Sequence, residues 1–280
     1  MTEGWRYYNH ALIPTLAPHE KVDSEVVRKR KFWSGWQGHP LMARWVTDFD
    51  VDIQTEWWYV IKDDKFDINA LKAKRRYEIN KGKRNFDVKL INPFSYVDEM
   101  VKVMIKAYSA YPEKYRPDTD AGRLKEEVMQ WTDIVVFGGF SKEDGSLCGF
   151  AYLKDYGNYT DFNVLRTIPE YEKLGINAAI INGMIEHFDT RLGENGFYIS
   201  DGSRSVVHET AFQDYLEKYF GFRKAYCNLK IYYRFPVSLA VRILYPFRKK
   251  IGNERKLSCM ISGLLRMEEI QRKCKYIQKV

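Results

Sequence analysis

Thr167-Ile168-Pro169-Glu170-Tyr171-Glu172-Lys173-Leu174-Gly175-Ile176-Asn177-Ala178-Ala179 is the stretch on which the fold turns. The residues before it predict a strand over 160–167, Gly175 predicts a turn, and Ile176, Ala179, Ile180, Met184, Ile185 and Phe188 recur at helical spacing. A strand that passes through a glycine turn into a helix leaves the first helical N–H groups without partners. Anions bind at such a terminus, because the free donors and the helix dipole both favour negative charge.

Outward from this stretch the pattern continues. Residues 133–140 and 147–155 predict two strands of a hairpin turned at Asp144-Gly145, followed by the 160–167 strand as the third of a meander. Beyond the 174–188 helix come a short strand over 196–201, an amphipathic helix over 208–220 and a closing stretch over 222–235. That last stretch is either one long strand or a hairpin split near Tyr226-Cys227-Asn228. Upstream, strands over 41–47 and 56–62 are expected to pair with each other. A helix is expected to start near Asp67 or Asn69 and to weaken or stop at Gly82, with a strand over 86–91 and helices over 95–108 and 123–131 after it. The fold class is α/β: a mixed, mostly antiparallel sheet with flanking helices. The tryptophans of the first segment, with Met100 and Met104, read as core.

The composition permits this and narrows the alternatives. At 280 residues, with 45% hydrophobic and 15% aromatic content, the chain is long for one α/β domain and short for two. Segments are expected at 1–91, tryptophan-rich with a basic helix; 92–235, the main α/β domain; and 236–280, a basic helical tail. Cys148, Cys227, Cys259 and Cys274 form no CxxC pair and share no metal-ligand spacing with the histidines, so a reduced, cytoplasmic chain without a metal is expected. No signal peptide and no spanning helix is expected, since no run approaches about 18 apolar residues. The tail from Pro236 carries eleven Lys and Arg against three Glu, which accounts for the whole net charge of +8. With Val237, Leu239, Val241, Ile243, Leu244 and Phe247 ahead of Arg248-Lys249-Lys250, it suits the anionic inner face of a membrane, or else its apolar residues pack on the domain.

The motif Thr167-x-Pro169-x-x-Glu172-x-x-Gly175-x-Asn177-Ala178 resembles the pyrophosphate loop of the GNAT acyltransferase superfamily, and His208-x-x-Ala211-x-x-x-Tyr215 with Gly221-Phe222 is similar to that superfamily's later motif. Together they span about 90 residues in the order the superfamily uses. Glu172 stands where the superfamily carries Arg or Gln, and Asn177 where it carries Gly or Ala. The resemblance implies a GNAT-like acyl-CoA N-acyltransferase fold and an acyl-CoA donor, acetyl-CoA foremost. It implies cofactor binding by Leu165, Arg166, Thr167, Glu172, Gly175, Ile176, Asn177 and Ala178, and Tyr215 as a proton donor. Trp57-Trp58-Tyr59-Val60, the basic run from Leu71 to Gly82 and Phe86-Asp87-Val88 look like parts of the Fem-type peptidyl transferases, which have two GNAT-like units. That second resemblance implies a partial N-terminal GNAT-like unit, an aminoacyl-tRNA donor and a lipid-linked acceptor.

Acyl transfer to an amine needs a deprotonated nucleophile, an aligned carbonyl and a stabilised oxyanion. Asp201, at the end of the 196–201 strand, is the candidate acid/base, against the alternative of an ordinary Asp-Gly turn; Glu170 and Asp161 are weaker carboxylates. Ser203 and Arg204 follow Asp201 as candidate substrate contacts. Arg75, Arg76 and Asn80 on the basic helix are candidates for gripping a nucleotide sugar, a lipid pyrophosphate or tRNA, unless that helix face is only solvated. His208 caps the next helix or titrates near neutrality. Three functions follow: N-acylation of an amine such as an amino sugar in cell-surface polysaccharide assembly, tRNA-dependent aminoacyl transfer to a lipid-linked precursor, or binding without turnover.

Overall fold

The computed structural model describes residues 3–206, 211–251 and 256–277. The chain divides into two units, one built from Met1–Val60, Ser203–Thr210 and Lys224–Val280, the other from Ile61–Gly202 and Ala211–Arg223. In chain order the strands are β1 (Trp5–Tyr8), β2 (Ala11–Pro14), β3 (Met42–Val51), β4 (Trp57–Lys62), β5 (Phe86–Ile91), β6 (Ile134–Ser141), β7 (Leu147–Asp155), β8 (Tyr159–Thr167), β9 (Tyr198–Ser203) and β10 (Arg223–Tyr233). The helices are α1 (Ala73–Asn85), α2 (Val97–Ser109), α3 (Ala121–Met129), α4 (Ile176–His187), α5 (Ala211–Phe220), α6 (Val237–Leu244) and α7 (Lys256–Ile277).

In the second unit, β5, β6, β7 and β8 pair antiparallel in sequence order and β9 joins β8 in parallel. The meander forms as the Asp-Gly turn between its first two strands predicts. Met100, Val103 and Met104 of α2 and Leu124 and Val128 of α3 pack with Val136, Phe140 and Phe150 of the sheet. Helix α4 buries Ile176, Ile180, Ile181, Met184 and Ile185, each worth about 1.5–3 kcal/mol in transfer from water. A 3₁₀ turn over Pro169–Leu174 leads into it, ending at Gly175 with φ +88°.

Gly82 does not stop α1, as its helix propensity suggested; the helix runs on to Asn85. The glycine serves a contact instead. A methyl group there would lie 2.4 Å from Gly175 O and 3.0 Å from Ala179 N, so only a bare Cα lets α1 come this close to the start of α4. Asn85 Nδ2 completes the contact by donating to Leu174 O at 3.0 Å. Asp67 caps a separate 3₁₀ turn over Ile68–Ala70, accepting from Asn69 N, rather than α1 itself.

In the first unit, β1 pairs antiparallel with β2, β2 parallel with β3, and β3 antiparallel with β10, with β4 next after β10. The expected pairing of β3 with β4 is therefore corrected, because β10 lies between them. One cause is hydrophobic: Cys227 and Leu229 of β10 share a core with Ala11, Met42 and Trp57. The Thr55 hydroxyl, 2.8 Å from Cys227 O, ties the same strands. The stretch over 222–235 is one strand, with a bulge between Tyr226 and Asn228. Met267, Ile270 and Cys274 of α7 are buried in this core too, while Trp5, Phe32 and Trp45 form a second cluster edge to face.

The units cut across the segments at residues 91 and 235. Helix α1 packs on α4 and β5 pairs with β6, so both belong with the second unit; β10 and α7 belong with the first.

Candidate active site

Strands β8 and β9 pair through Tyr159↔Tyr198, Thr160↔Ile199 and Asp161↔Ser200, and no further. Beyond Asp161 they part. The gap belongs to a cleft of about 530 Å³ walled by β8 residues 162–167, by Pro169, Glu172 and Asn177 of the turn, and by Tyr111 and Pro112 after α2, with Asp201 and Phe212 also lining it. A second hollow, about 60 Å³ beside Phe66, Lys83 and Asp189, is too small for a transferable donor.

The wall formed by β8 is irregular. Tyr152 pairs with Val164 and Leu153 with Phe162, so Asn163 is an extra residue. Such a bulge bends the strand and redirects its backbone groups, and Asn163 is among the residues that line the cleft. A strand edge without a partner offers N–H and C=O groups to an extended ligand.

Asp201 lies one residue past the last β8–β9 pair, on a strand bent at Gly202, whose φ is +87°. It is part of β9 and not an ordinary turn. Burial pushes its carboxyl up to about 7, opposed by a hydrogen bond from the Gln213 side chain, which favours the anion. Gln213 Oε1 is buried without a partner. A carboxyl that titrates near neutrality suits general base work, because both protonation states are populated where it operates.

Arg166 lines the same cleft as Glu172 and Asp201 and contributes a positive charge to it. Its guanidinium lies 5.4 Å from the Tyr108 ring centroid and Nη1 donates to Leu165 O at 3.0 Å, while Nε is buried without a partner. Asn177 Oδ1 accepts from Thr167 Oγ1 at 2.8 Å, which ties the helix start to the strand end across the turn.

Of the predicted cofactor residues, Leu165, Arg166, Thr167, Glu172 and Asn177 line the cleft. Gly175, Ile176 and Ala178 do not. Gly175 N donates to Glu172 O at 3.0 Å and its Cα faces Gly82, while Ile176 and Ala178 are buried. The open run of amides expected over 175–178 is thus reduced at Gly175, because α1 covers one side of the turn. Tyr215 packs among Phe212, Tyr219 and Phe220. Burial, with Tyr219 and Glu78 adding to it, pushes its hydroxyl up, so it stays protonated, but it is not among the residues lining the cleft.

The basic helix lies outside the cleft lining as well. Arg75 sits 5.9 Å from the Tyr219 ring centroid, Arg76 Nη1 donates to Asn69 O at 3.2 Å, and Asn80 is exposed. Ser203 and Arg204 belong to the first unit, where Arg204 lies 4.3 Å from the Trp58 ring centroid and donates to Glu56 O at 2.8 Å. His208 falls outside the described residues. The sequence reading missed Asn163, Gln213, Tyr111 and Phe212. Ala211 opens α5, so helical periodicity marked Gln213 and Phe212 as helical without marking them as facing Asp201 and the cleft.

No model of a protein family matches this sequence, and no curated protein matches it. Solved structures do. L-PGS from Bacillus licheniformis is similar with a TM-score of 0.50 and 13% identity, over 94% of this chain and 84% of that one. The C-terminal domain of a putative lysylphosphatidylglycerol synthetase from Agrobacterium fabrum is similar at 0.49 and 11%, over 86% and 82%. FemX is similar at 0.48 and 10%, over 70% and 66%. What the likeness to L-PGS shows is a shared fold.

Proposed function

We propose that this chain is a transferase that moves an activated acyl or aminoacyl group onto an amine in the cleft between β8 and β9. The observation that carries this is Asp201 where the strands part, with a carboxyl pushed up to about 7. The acyl arm lies along the free edge of β8, whose backbone N–H groups near the Asn163 bulge stabilise the oxyanion. Asp201 takes a proton from the incoming ammonium, directly or through water. The freed nitrogen attacks the carbonyl, a C–N bond forms, and the C–O or C–S bond to the carrier breaks as its oxygen or sulfur gains a proton. Glu172 and Asp201 against Arg166 give the cleft a negative balance once Asp201 ionises, which favours a cationic acceptor.

The donor the site suits better is an aminoacyl ester of tRNA. Glu172 carries its carboxylate where the pyrophosphate of CoA would lie, at a cost of about 1–3 kcal/mol per charge pair at 5 Å. Closure of Gly175 against Gly82 removes part of the phosphate cradle. Lys72, Lys74, Arg75, Arg76, Lys81, Lys83 and Arg84 supply a basic helix for RNA. A lipid-linked amine is then the acceptor. The second reading, acetyl-CoA donating to an amino sugar in cell-surface polysaccharide assembly, is favoured by Thr167 and Asn177, which line the cleft at the strand end and the helix start.

Binding separates the two. Charged tRNA is expected to bind with a steep dependence on salt, and Arg75→Ala with Arg76→Ala is expected to lower the slope of log affinity against log salt by about 1–2. Acetyl-CoA is expected to leave the melting temperature unchanged. A rise of several degrees with acetyl-CoA would move the assignment to the second reading. If neither ligand binds, the transferase assignment fails.

A further inference from the structure

Four large apolar side chains spaced four residues apart, Phe235, Leu239, Ile243 and Phe247, are 76%, 50%, 57% and 55% exposed. Residues at that spacing stand above one another on one side of a helix; here Leu239 and Ile243 lie on α6, Phe235 stands in the turn just before it and Phe247 in the 3₁₀ turn Tyr245–Lys250 just after it. A surface helix ordinarily presents polar residues outward. This one is apolar on both sides.

Its inner side is already satisfied. Val241 is buried, Val237 and Leu244 are half-buried, and α6 packs on α7. The Tyr245 ring has Arg248 at 4.3 Å and Arg272 at 3.9 Å from its centroid, and Arg248 pairs with Glu269. These contacts hold the segment on its own unit while the Leu239 and Ile243 side faces away. Packing on the domain therefore accounts for Val237, Val241 and Leu244, and leaves Leu239, Ile243 and Phe247 unexplained.

Charge identifies what covers them. Arg234, Arg242, Lys249 and Lys250 are exposed around the stripe, and residues 234–251 include no Asp or Glu. An apolar stripe framed by cations matches the interface of an anionic bilayer, where apolar side chains enter the acyl boundary and Lys and Arg meet headgroup phosphates. No helix among the described residues is long and apolar enough to cross a membrane. We infer that Phe235, Leu239, Ile243 and Phe247, with Arg234, Arg242, Lys249 and Lys250, form a docking surface that seats the protein on an anionic membrane. The inference is independent of the transferase assignment.

Flotation of the full chain with vesicles tests it. The chain is expected to float with phosphatidylcholine vesicles containing phosphatidylglycerol, to stay behind with pure phosphatidylcholine, and to be released by added salt. Leu239→Glu with Ile243→Glu, and separately Lys249→Glu with Lys250→Glu, are each expected to lower partitioning at least about tenfold. All four positions are exposed, so unchanged melting temperatures will show that the variants fold. Equal flotation of variants and wild type would overturn the inference. So would absence of flotation, or a wild-type dimer that Ile243→Glu dissociates, which would make the stripe a contact between copies.

Discussion

Asp201→Asn is expected to lower the transfer rate by about 10²–10⁴-fold, the usual share of a positioned base, while making the protein more stable. The two effects together separate a catalytic carboxylate from a structural one. In the folded chain the carboxyl is raised to about 7 by burial, whereas in the unfolded chain it returns to the ordinary carboxylate range. Below that ordinary range both states are protonated and the ionisation has no effect on stability. As pH rises toward 7 the unfolded state gains solvated charge that the native state does not, so stability falls; above about 7 the native state carries a desolvated anion and the full cost persists. The asparagine variant avoids this. Its advantage should be absent near pH 3, grow between about pH 4 and 7, and level off at no more than about 4 kcal/mol. Melting curves across that range, beside transfer rates, check both halves. A variant less stable than wild type at pH 8 would make Asp201 a structural residue.

Gly175→Val is expected to destabilise the chain by about 2–5 kcal/mol through two costs at one atom. At φ +88° the backbone is in a region that L residues avoid and β-branched residues avoid most. The new Cβ would also lie 2.9 Å from Gly82 N and 3.0 Å from Gly82 Cα. Both are backbone atoms of a helix, so no side chain can swing away to relieve the contact. A fall in melting temperature of roughly 10 °C is expected, with urea titration giving the free energy. Gly82→Ala probes the other side of the contact. Helix propensity alone predicts a gain of about 1 kcal/mol, so a net loss measures the clash with Gly175 O.

The features legible from sequence were those set by local period. The β6–β7–β8 meander follows from Asp144-Gly145, the turn before α4 from Gly175, and the α4 stripe from Ile176, Ile180 and Met184. The place of Asp201 at the end of a strand was legible from the short buried run that follows α4. The raised protonation of that carboxylate was not, since it comes from groups brought over it by long-range packing. Gly82 shows the limit well: propensity reads a glycine in a helix as a break, and only the approach of Gly175, 93 positions further along the chain, reveals why it is there. The order β3–β10–β4 was hidden for the same reason, as β10 joins its partners across most of the chain. The Asn163 bulge depends on register and the Gln213 contact on the orientation of α5, and neither leaves a pattern in composition or spacing.

The most direct measurement is the titration of the Asp201 carboxyl, followed by its ¹³C chemical shift in the aspartate-labelled chain and assigned by its disappearance in Asp201→Asn. A midpoint near 7 is predicted, as for a carboxyl held by burial where β8 and β9 part. A midpoint in the ordinary carboxylate range, about 4, would mean that the group is solvated, and would contradict the assignment of this cleft as a transferase site.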